Sequence, residues 1–403
     1  MCGIVGIIDP GPSETKEALL RRMLGLIRHR GPDAFGMYLH DKVGLGSARL
    51  RILDLAGGDQ PIHNETGTVW IVYNGEVFNY PDLRVELEQK GHRFYTKTDT
   101  EVLVHLYEEM GPELLNKLNG QFAFALWDSR EQVLMLARDR VGIRPLFYHL
   151  ENGRLLFGSE IKTIFADSSV SRDLDVQALS DIFTCWSPLG DATAFKGIRQ
   201  LLPGHYALYR NGSLEARPYW RLSFSGDGRQ ERPFESYREE LSALLYDATK
   251  IRLRADVPVG AYLSGGLDST YVTALVKKHF DNRLRTFSVS FSDERFDEAP
   301  FQLKAVDALQ TDHRMIRCTD RDIGETLPKV VWHTEVPMTR TAPAPLYMLS
   351  GLVRENSFKV VLTGEGSDEI FAGYDIFKED RVRRFWAREP ESAFRPLLLR
   401  RLY

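Results

Sequence analysis

The sequence of 403 residues is poor in cysteine, in net charge and in long apolar runs, and each shortage excludes a class of protein. Its three cysteines, Cys2, Cys185 and Cys318, are odd in number, far apart and without CxxC spacing. This pattern argues against a disulfide framework or a zinc site and favours a reducing cytoplasm. A net charge of −4 gives no electrostatic reason to expect nucleic acid or an anionic membrane as partner, so we expect small molecules or another protein.

No apolar run is long enough to cross a bilayer. The opening MCGIVGIIDP has no basic residue before its apolar stretch and is broken by Asp9-Pro10, which argues against a signal peptide. The length favours two domains, each large enough to bury a core of its own.

A polar, glycine-containing segment separates two different patterns. Before it, short strands, hairpins and a few amphipathic helices predict a sheet-rich domain with helices packed on it. After it, strands alternate with helices, which predicts a parallel sheet with crossover helices. We therefore expect a first domain over 2–222, a linker over 223–236 and a second domain over 237–403.

The segment LSGGLDST, 263–270, joins a predicted strand to a predicted helix. Gly265 and Gly266 permit a tight turn with exposed N–H groups at a helix N-terminus, which favours an anion such as phosphate. Hydroxyl groups come from Ser264, Ser269 and Thr270. Asp268 beside a polyphosphate suggests a magnesium ligand. The alternative is an ordinary strand–helix turn in which Asp268 caps the helix.

A second polar cluster follows another predicted strand, in VVLTGEGSDEIFAGY at 360–374. Ligands of open parallel sheets bind at the carboxyl ends of strands, and both clusters occupy that position. Asp268 and Asp368 could then share one metal ion, and Glu365 could contact a substrate or intermediate. A helix N-terminus enriched in acids for dipole reasons accounts for one acid but hardly for three among glycines.

Cys2 would become the N-terminal residue if Met1 were removed, and would then carry a thiol and a free α-amine. The ordinary pKa of such an amine is about 7.7–8.0, so it can act as the base that activates the thiol. The alternative is a small buried hydrophobic residue in the first strand. Its position next to Gly3 at the chain start weighs against that alternative.

An acyl-transfer site also needs oxyanion donors and substrate anchors. Within YNGE, Asn74 offers a side-chain amide and Gly75 a backbone N–H at a turn. Arg49 can pair with a substrate carboxylate, and Asp99 or Glu76 can accept from a substrate ammonium. Each has an alternative: Asn-Gly as a hairpin turn, Arg49 on the surface, and Asp99 as the cap of the helix that follows.

Together these residues resemble the class II glutamine amidotransferases of the N-terminal-nucleophile type, and among them the glutamine-hydrolysing asparagine synthetases. SGGLDS and GEGSDE match their ATP-pyrophosphatase-like synthetase domain. The first domain carries the motifs MCGIVGI, HRGPD, ARLRILD, QPI, NGEVFNY, TDTE, GQFAFALWD and ARDRVGIRPLFY. The resemblance implies an α+β first domain, an αββα sandwich of antiparallel sheets, followed by a parallel-sheet α/β adenylation domain.

The resemblance implies glutamine hydrolysis in the first domain. Cys2 would attack the glutamine amide to give a thioester and ammonia, with Asn74 and Gly75 as the oxyanion hole. The residues around the bound glutamine would be Arg49, Leu50, Arg51, Ile52, Leu53, Asn74, Gly75, Glu76 and Asp99. An arginine at position 51 departs from the family, where a small residue is common.

In the second domain the resemblance implies that ATP and Mg²⁺ activate the β-carboxylate of aspartate as an acyl-adenylate, with release of pyrophosphate. Glu365 would serve the intermediate, and Asp268 and Asp368 would bind the metal. The nucleotide-binding residues would be Leu263, Ser264, Gly265, Gly266, Leu267, Asp268, Ser269, Val289, Thr363 and Gly364. Ammonia would travel between the sites inside the protein, and the family also suggests a homodimer.

Relatives continue with a helical segment after GEGSDE, whereas this sequence ends at Tyr403. We therefore expect a second domain that is C-terminally incomplete, with glutamine hydrolysis retained and ATP-dependent amidation weak. Two alternatives stay open: an amidotransferase for another carboxylate, and a truncated glutaminase or binding protein without synthetase activity. Sugar-phosphate amidotransferases share the first domain in outline but should lack SGGLDS.

Overall fold

The computed structural model describes residues 1–223, 232–280 and 283–402. Those residues form two compact units, one of 1–257 with 321–347 and one of 258–320 with 348–403. Residues 224–231, most of the predicted linker, lie outside the described residues. The predicted domains and the compact units divide the chain differently, because the stretches 237–257 and 321–347 belong to the first unit.

The first 257 residues contain two antiparallel sheets and several helices. The strands are β1 (Gly3–Ile8), β2 (Ala34–His40), β3 (Val43–Arg49), β4 (Ile62–His63), β5 (Val69–Val77), β6 (Gly120–Asp128), β7 (Val133–Arg138), β8 (Phe147–Glu151), β9 (Arg154–Gly158), β10 (Arg199–Gln200), β11 (His205–Arg210) and β12 (Ser213–Pro218). The helices are α1 (Ser13–Leu26), α2 (Tyr80–Gln89), α3 (Glu101–Met110), α4 (Leu114–Lys117), α5 (Ile161–Ile164), α6 (Val176–Cys185) and α7 (Phe234–Arg252). The strand orders are β10-β8-β9-β1-β3-β2 and β12-β11-β7-β6-β5-β4.

The two sheets pack face to face, with helices on their outer faces. Side chains of β1 and β3 from one sheet meet those of β5, β6 and β7 from the other in one buried cluster. A second cluster joins α1 and α5 to the first sheet, and a third joins α2 and α3 to the second. Alternation along β5 produces this division, because Ile71 and Tyr73 face the helices while Val72 faces the opposite sheet. The expected αββα sandwich is confirmed.

Two Asn-Gly pairs adopt different backbone conformations. Asn152 and Gly153 both have positive φ angles, 50° and 76°, and form the predicted turn between β8 and β9. Asn74 and Gly75 were expected at a turn between two strand runs, and that expectation is wrong, because β5 continues through both. Gly75 lies so close to β6 that a Cβ atom there would be 2.2 Å from the Gln121 carbonyl oxygen.

The rest of the chain alternates strands and helices as predicted. The strands are β13 (Val259–Tyr262), β14 (Arg285–Phe291), β15 (Asp312–Cys318) and β16 (Val360–Leu362), and the helices are α8 (Leu267–His279), α9 (Ala299–Leu309), α10 (Asp320–Thr334), α11 (Pro343–Glu355), α12 (Ser367–Phe371) and α13 (Asp375–Ala387). The strands form a parallel sheet in the order β15-β14-β13-β16. Among the helices of the described ranges, none is both long and apolar enough to span a bilayer.

Candidate active sites

Cys2 lies directly before β1, a strand in the middle of its sheet between β9 and β3. The Leu50 N–H donates a hydrogen bond to the Cys2 sulfur at 3.3 Å, and the Leu50 carbonyl oxygen is 3.7 Å from the same atom. Arg30 Nε donates to the Cys2 carbonyl oxygen at 3.0 Å, and Arg30 Nη1 is 3.0 Å from Glu160. Sequence reasoning assigned no role to Arg30 or Glu160, although Arg30 belongs to the HRGPD motif.

The amine next to Cys2 is that of Met1. The pKa of this amine is lowered to about 5, chiefly by burial and also by the charges of Arg30 and Arg144, against the opposite effects of Cys2 and Glu76. An amine with this pKa is unprotonated at neutral pH and can accept a proton. This pKa is that of the Met1 amine; the role of the Cys2 amine as the base after removal of Met1 stays a prediction.

Asn74, on β5, is only 1% exposed, and neither its amide nitrogen nor its amide oxygen makes a hydrogen bond within the described part of the chain. Buried polar atoms are normally paired, so an unpaired amide at a predicted site is a feature that a bound ligand can explain. An oxyanion would be an acceptor for this N–H donor.

The Gly75 N–H points away from β6. Gly75 is paired with Phe122, whose own N–H and carbonyl are hydrogen-bonded to Asp139 rather than to β5. On the same side of β5, the N–H of Tyr73 donates to Gln60 and that of Val77 to Asp99. A continuous strand therefore presents the Gly75 N–H in place of the expected turn.

Arg49 is 5% exposed, which rules out the surface alternative. Its guanidinium donates to the carbonyl oxygens of Leu53, Asp54 and Gly57 at 2.6–3.0 Å and to Asp59 at 2.7 Å. Arg49 thus holds the loop that carries the predicted glutamine-binding residues Leu50 to Leu53. Arg51 forms an ion pair with the same carboxylate, that of Asp59, at 2.8 Å. Pairing of Arg49 with a substrate carboxylate stays a prediction.

Asp99 is buried, and its carboxylate accepts a hydrogen bond from the Val77 N–H at 2.8 Å. It does not cap the helix, because α3 begins at Glu101 and its N-cap residue is Thr100. The pKa of Asp99 is raised to about 7, chiefly by burial and also by the nearby Glu76, against the lowering effect of the hydrogen bond from Val77. Burial also raises the pKa of Glu76. Two buried carboxyl groups with raised pKa values thus lie near each other, and a cationic group of a ligand would favour their ionised forms.

The SGGLDS loop follows β13 and leads into α8. Gly265 has a φ of 83°, and the Gly266 N–H donates to the Ser264 hydroxyl at 3.2 Å. The Ser264 N–H donates to the Ser269 hydroxyl at 3.1 Å. The loop is thus folded on itself by its own hydroxyls at the start of a helix of thirteen residues, an arrangement that suits phosphate.

The two polar clusters lie at one edge of the parallel sheet. Strands β13 and β16 are parallel neighbours, with Ala261 opposite Leu362. A Cβ atom at Gly364 would be 3.0 Å from both the Asp268 Cβ and the Ser269 nitrogen, so the loops touch. Asp368 is half-buried on α12, and Glu365 is exposed. The predicted meeting of the SGGLDS and GEGSDE motifs is confirmed.

Two further predicted nucleotide-binding residues lie on the same sheet. Leu263 is fully buried, and its N–H donates to the Phe287 carbonyl oxygen at 2.9 Å. Val289 is half-buried on β14, and its carbonyl oxygen accepts from Gln302 Nε2 at 3.0 Å. Their contact with a nucleotide stays a prediction, as do the roles of Leu267 and Thr363.

Residues 1–220 match the family model described as a glutamine amidotransferase domain, and residues 240–402 match the one described as asparagine synthase. "Asparagine synthetase [glutamine-hydrolyzing] 1" of Bacillus subtilis is 34% identical over 99% of this chain and 63% of its own length. "Asparagine synthetase [glutamine-hydrolyzing] 3" of the same organism is 34% identical over 98% of this chain and 67% of its own length.

Not every relative has that name, since "Amidase chyE" of Penicillium rubens is 35% identical over 99% of this chain and 62% of its own length. The chain thus spans less than two thirds of the length of some curated relatives that it matches. Among solved structures, a glutamine phosphoribosylpyrophosphate amidotransferase from B. subtilis covers 78% of this chain and 65% of its own, at 15% identity and a TM-score of 0.41, too distant a likeness to carry an argument. The two family matches together show that this chain belongs to the family of glutamine-hydrolysing asparagine synthetases.

Proposed function

We propose that the protein hydrolyses glutamine at Cys2 and uses the ammonia to amidate aspartate activated by ATP, forming asparagine, glutamate, AMP and pyrophosphate. The observation that carries the proposal is that one chain combines a buried, unpaired Asn74 amide in an αββα sandwich with an SGGLDS loop touching a GEGSDE loop. The first feature suits acyl transfer from glutamine, and the second suits adenylation of a carboxylate.

In the first half-reaction the Cys2 thiol attacks the amide carbon of glutamine, and its proton passes to the α-amine of Cys2 itself, which is free once Met1 is removed. The oxygen that becomes negative accepts hydrogen bonds from the Asn74 amide and the Gly75 N–H. The carbon–nitrogen bond then breaks, and ammonia leaves with the proton held by the amine. Water hydrolyses the thioester to release glutamate and restore the thiol.

Charged residues of the protein would bind the carboxylate and ammonium groups of glutamine, at the end away from its side-chain amide. The loop of Arg49 to Leu53 would form one wall of the glutamine site. The Arg49 guanidinium would be the cation next to the glutamine carboxylate. Ionised Asp99 would accept from its ammonium group, with Glu76 adding negative charge. Both carboxyls are largely desolvated, so they interact strongly with a cation placed against them.

In the second half-reaction Ser264 to Ser269 would hold the phosphates of ATP through backbone N–H and hydroxyl groups at the start of α8. Leu263 and Val289 would line the nucleotide site, Thr363 and Gly364 would touch ATP, and Glu365 would serve the acyl-adenylate. The carboxylates of Asp268 and Asp368 are oxygen ligands of the kind that Mg²⁺ prefers, and the loops that bear them touch. Magnesium would neutralise phosphate charge there.

A second candidate function is amidation of a carboxylate other than aspartate. It stays open because relatives that match as much of this chain as the synthetases do are not named asparagine synthetases. We further propose a cytoplasmic location, since Cys2, Cys185 and Cys318 form no disulfide bond, and a homodimer as the assembly, an expectation that rests on the family alone.

The test is an assay of the purified protein with ATP, Mg²⁺, glutamine and a panel of carboxylic acids that includes aspartate. Pyrophosphate and asparagine formed in equal amounts, only when aspartate is present, would establish the proposed function. Pyrophosphate formed with another acid would favour the second candidate. Glutamate and ammonia without pyrophosphate for any acid would contradict both and favour the remaining alternative, a glutaminase without synthetase activity.

A further inference from the structure

A cluster of two histidines and two glutamates lies away from both proposed sites, on the helical face of the second sheet. Glu65 is in the turn between β4 and β5, His92 follows α2, and His105 and Glu108 are three residues apart on α3. One side-chain atom of each lies within 4.8 Å of those of the others. Three separate parts of the chain therefore converge on one point.

The nitrogen–oxygen distances within the cluster are short. His105 Nδ1 is 3.3 Å from Glu65 Oε2 and 3.5 Å from Glu108 Oε2. His92 Nδ1 is 3.2 Å from Glu65 Oε1 and 3.9 Å from Glu108 Oε2. Ligands about 2.0–2.1 Å from a tetrahedral Zn²⁺ lie roughly 3.3–3.4 Å from one another. A small shift of side chains would therefore admit the ion.

Unpaired buried atoms point into the same space. His105 is 0% exposed, and neither ring nitrogen has a hydrogen bond of normal geometry within the described ranges, although carboxylate oxygens of Glu65, Glu101 and Glu108 lie 3.3–3.6 Å away. The same holds for Glu108 Oε2, while the other oxygen of that carboxylate accepts from Asn64 at 2.6 Å. Such orphaned atoms are costly when buried and need a partner. A metal ion would give His105 Nδ1 and Glu108 Oε2 one partner in common.

The outer nitrogen of each histidine faces a further carboxylate. His105 Nε2 is 3.6 Å from Glu101 Oε1, and His92 Nε2 is 3.3 Å from Glu109 Oε1. Metal-binding histidines commonly donate their second N–H to a carboxylate, which fixes the ring and the tautomer. Both histidines thus turn Nδ1 inward and Nε2 outward, as ligands of a shared ion would.

The negative charge of the cluster also favours a bound cation. Glu65, Glu101, Glu108 and Glu109 bring four carboxylates, and the charged amine nearest to them, that of Lys90, pairs with Glu109. The opposing possibility is that protons alone balance the cluster. Burial lowers the pKa of His105, but Glu101, Glu108 and Glu65 outweigh it and raise that pKa to about 9.

A second cluster of similar composition consists of His29, Glu160 and His333. It does not have the excess of negative charge found in the first cluster. The Glu160 carboxylate is already bound by Arg30 at 3.0 Å and by Lys162 at 2.6 Å. Those cations and His29 outweigh the effect of burial and lower the pKa of Glu160 to about 2. Like charges would oppose a metal ion there.

We propose that Glu65, His92, His105 and Glu108 form a structural Zn²⁺ site that joins the β4–β5 turn, the end of α2 and the helix α3. The cysteine pattern of the sequence argues only against a zinc site that uses cysteine ligands, and this site uses none. The ion would also steady the stretch before Asp99, because Glu101 accepts hydrogen bonds from the N–H groups of Tyr95 and Thr96. The site is independent of the proposed function.

The test uses the untagged full chain with Cys2 replaced by alanine, which removes a competing thiol. After treatment with a chelator, the protein is titrated with Zn²⁺ and, as a spectroscopic probe, with Co²⁺. We expect one Zn²⁺ per chain, a Tm that rises with Zn²⁺ concentration, and the visible absorption of tetrahedral Co²⁺. Absence of stoichiometric binding, with an unchanged Tm, would overturn the proposal and leave protons as the balancing charge.

Variants locate the ion. His92→Asn and Glu65→Gln change side chains that reach the solvent, so the fold should survive, and each should weaken Zn²⁺ binding at least about tenfold. Glu109→Gln should weaken it by a smaller factor, because this residue lies behind His92. His40→Asn, a change at an exposed histidine elsewhere, is the matched control and should leave binding unchanged. Equal Zn²⁺ affinity in the His92 and Glu65 variants and in the control would refute the site.

Discussion

The backbone N–H of Leu50 points at the sulfur of Cys2 from 3.3 Å, and the chain that supplies it is held by Arg49. This contact fixes the position of the sulfur directly before β1. The contact comes from the backbone, which makes the side chain at position 50 free to serve the substrate.

Replacement of Cys2 tests the nucleophile. Cys2→Ala should abolish formation of glutamate from glutamine, because no thioester can form. It should leave ammonia-dependent pyrophosphate release unchanged if the two reactions use separate sites. Steady-state assays with glutamine and with ammonium chloride measure both, and loss of the two activities together would contradict the separation.

Removal of Met1 is the second prediction. The mature chain should begin at Cys2, because the base of the proposed reaction is the free α-amine of that residue. Intact-mass measurement of active protein decides the question. Cys2→Ser is the useful control, since serine should permit the same processing while being a weaker nucleophile; a fully active chain that retains Met1 would refute the mechanism.

The fold could be predicted from the sequence where a sequence pattern is compatible with only one type of structure. Strand–helix alternation after residue 257 predicted the parallel sheet, and the Asn152-Gly153 pair predicted a turn, because positive φ angles are accessible to those residues. The same dipeptide at 74 and 75 gave a wrong prediction of a turn. Tertiary contacts with β6 favour an extended Gly75 over the local turn preference. Such contacts are long-range and leave no local signal.

The site was predictable in its residue types but not in its contacts. Asp99 was open to a capping role until the structure showed its carboxylate bound to the Val77 N–H, 22 positions earlier. Arg49 offered an obvious cation, but its hydrogen bonds to the carbonyls of the 53–57 loop depend on how that loop folds. The cluster around His105 had no linear motif, since its members come from three separate segments.

Asn74→Ala should reduce kcat for glutamine hydrolysis by about 10²–10³-fold, the usual effect of losing one oxyanion donor. KM for glutamine should change little, because the contact strengthens only when charge develops on the oxygen. The Tm should also change little, since the amide atoms of Asn74 have no partners within the described chain that the substitution would strand. A large loss of Tm with intact kcat would instead assign Asn74 a structural role.

Asp268→Asn should suppress ATP-dependent pyrophosphate release while leaving glutamine hydrolysis unchanged, because it removes a charge that would bind the magnesium–ATP complex. Asp380→Asn is the matched control. It makes the same charge change at an exposed position of α13, where Asp380 pairs only weakly with Arg384. Loss of glutaminase activity in the Asp268 variant, equal to the loss of synthesis, would show that the sites are not separate.

The pH dependence of glutamine use should report Asp99. Its pKa of about 7 in the free protein means that below pH 7 the carboxyl is mostly neutral and cannot bind the substrate ammonium. We expect kcat/KM for glutamine to fall about tenfold per pH unit below 7. Asp99→Asn can still accept from the Val77 N–H, so it should fold, show a low kcat/KM throughout, and lose this pH dependence.

Stability should change with pH in the opposite direction from glutamine use. The pKa of Asp99 is raised on folding, so its contribution to stability is fully present below its unfolded pKa, near 3.8, and is lost as pH rises through about 7. Asp99→Asn should therefore gain Tm relative to the parent chain at pH 8 but not at pH 4. Glu76→Gln, measured alongside, separates the two carboxyls, because the pKa of Glu76 is also raised by burial. An unchanged pH profile in the Asp99 variant, with the shift appearing in the Glu76 variant instead, would transfer the role to Glu76.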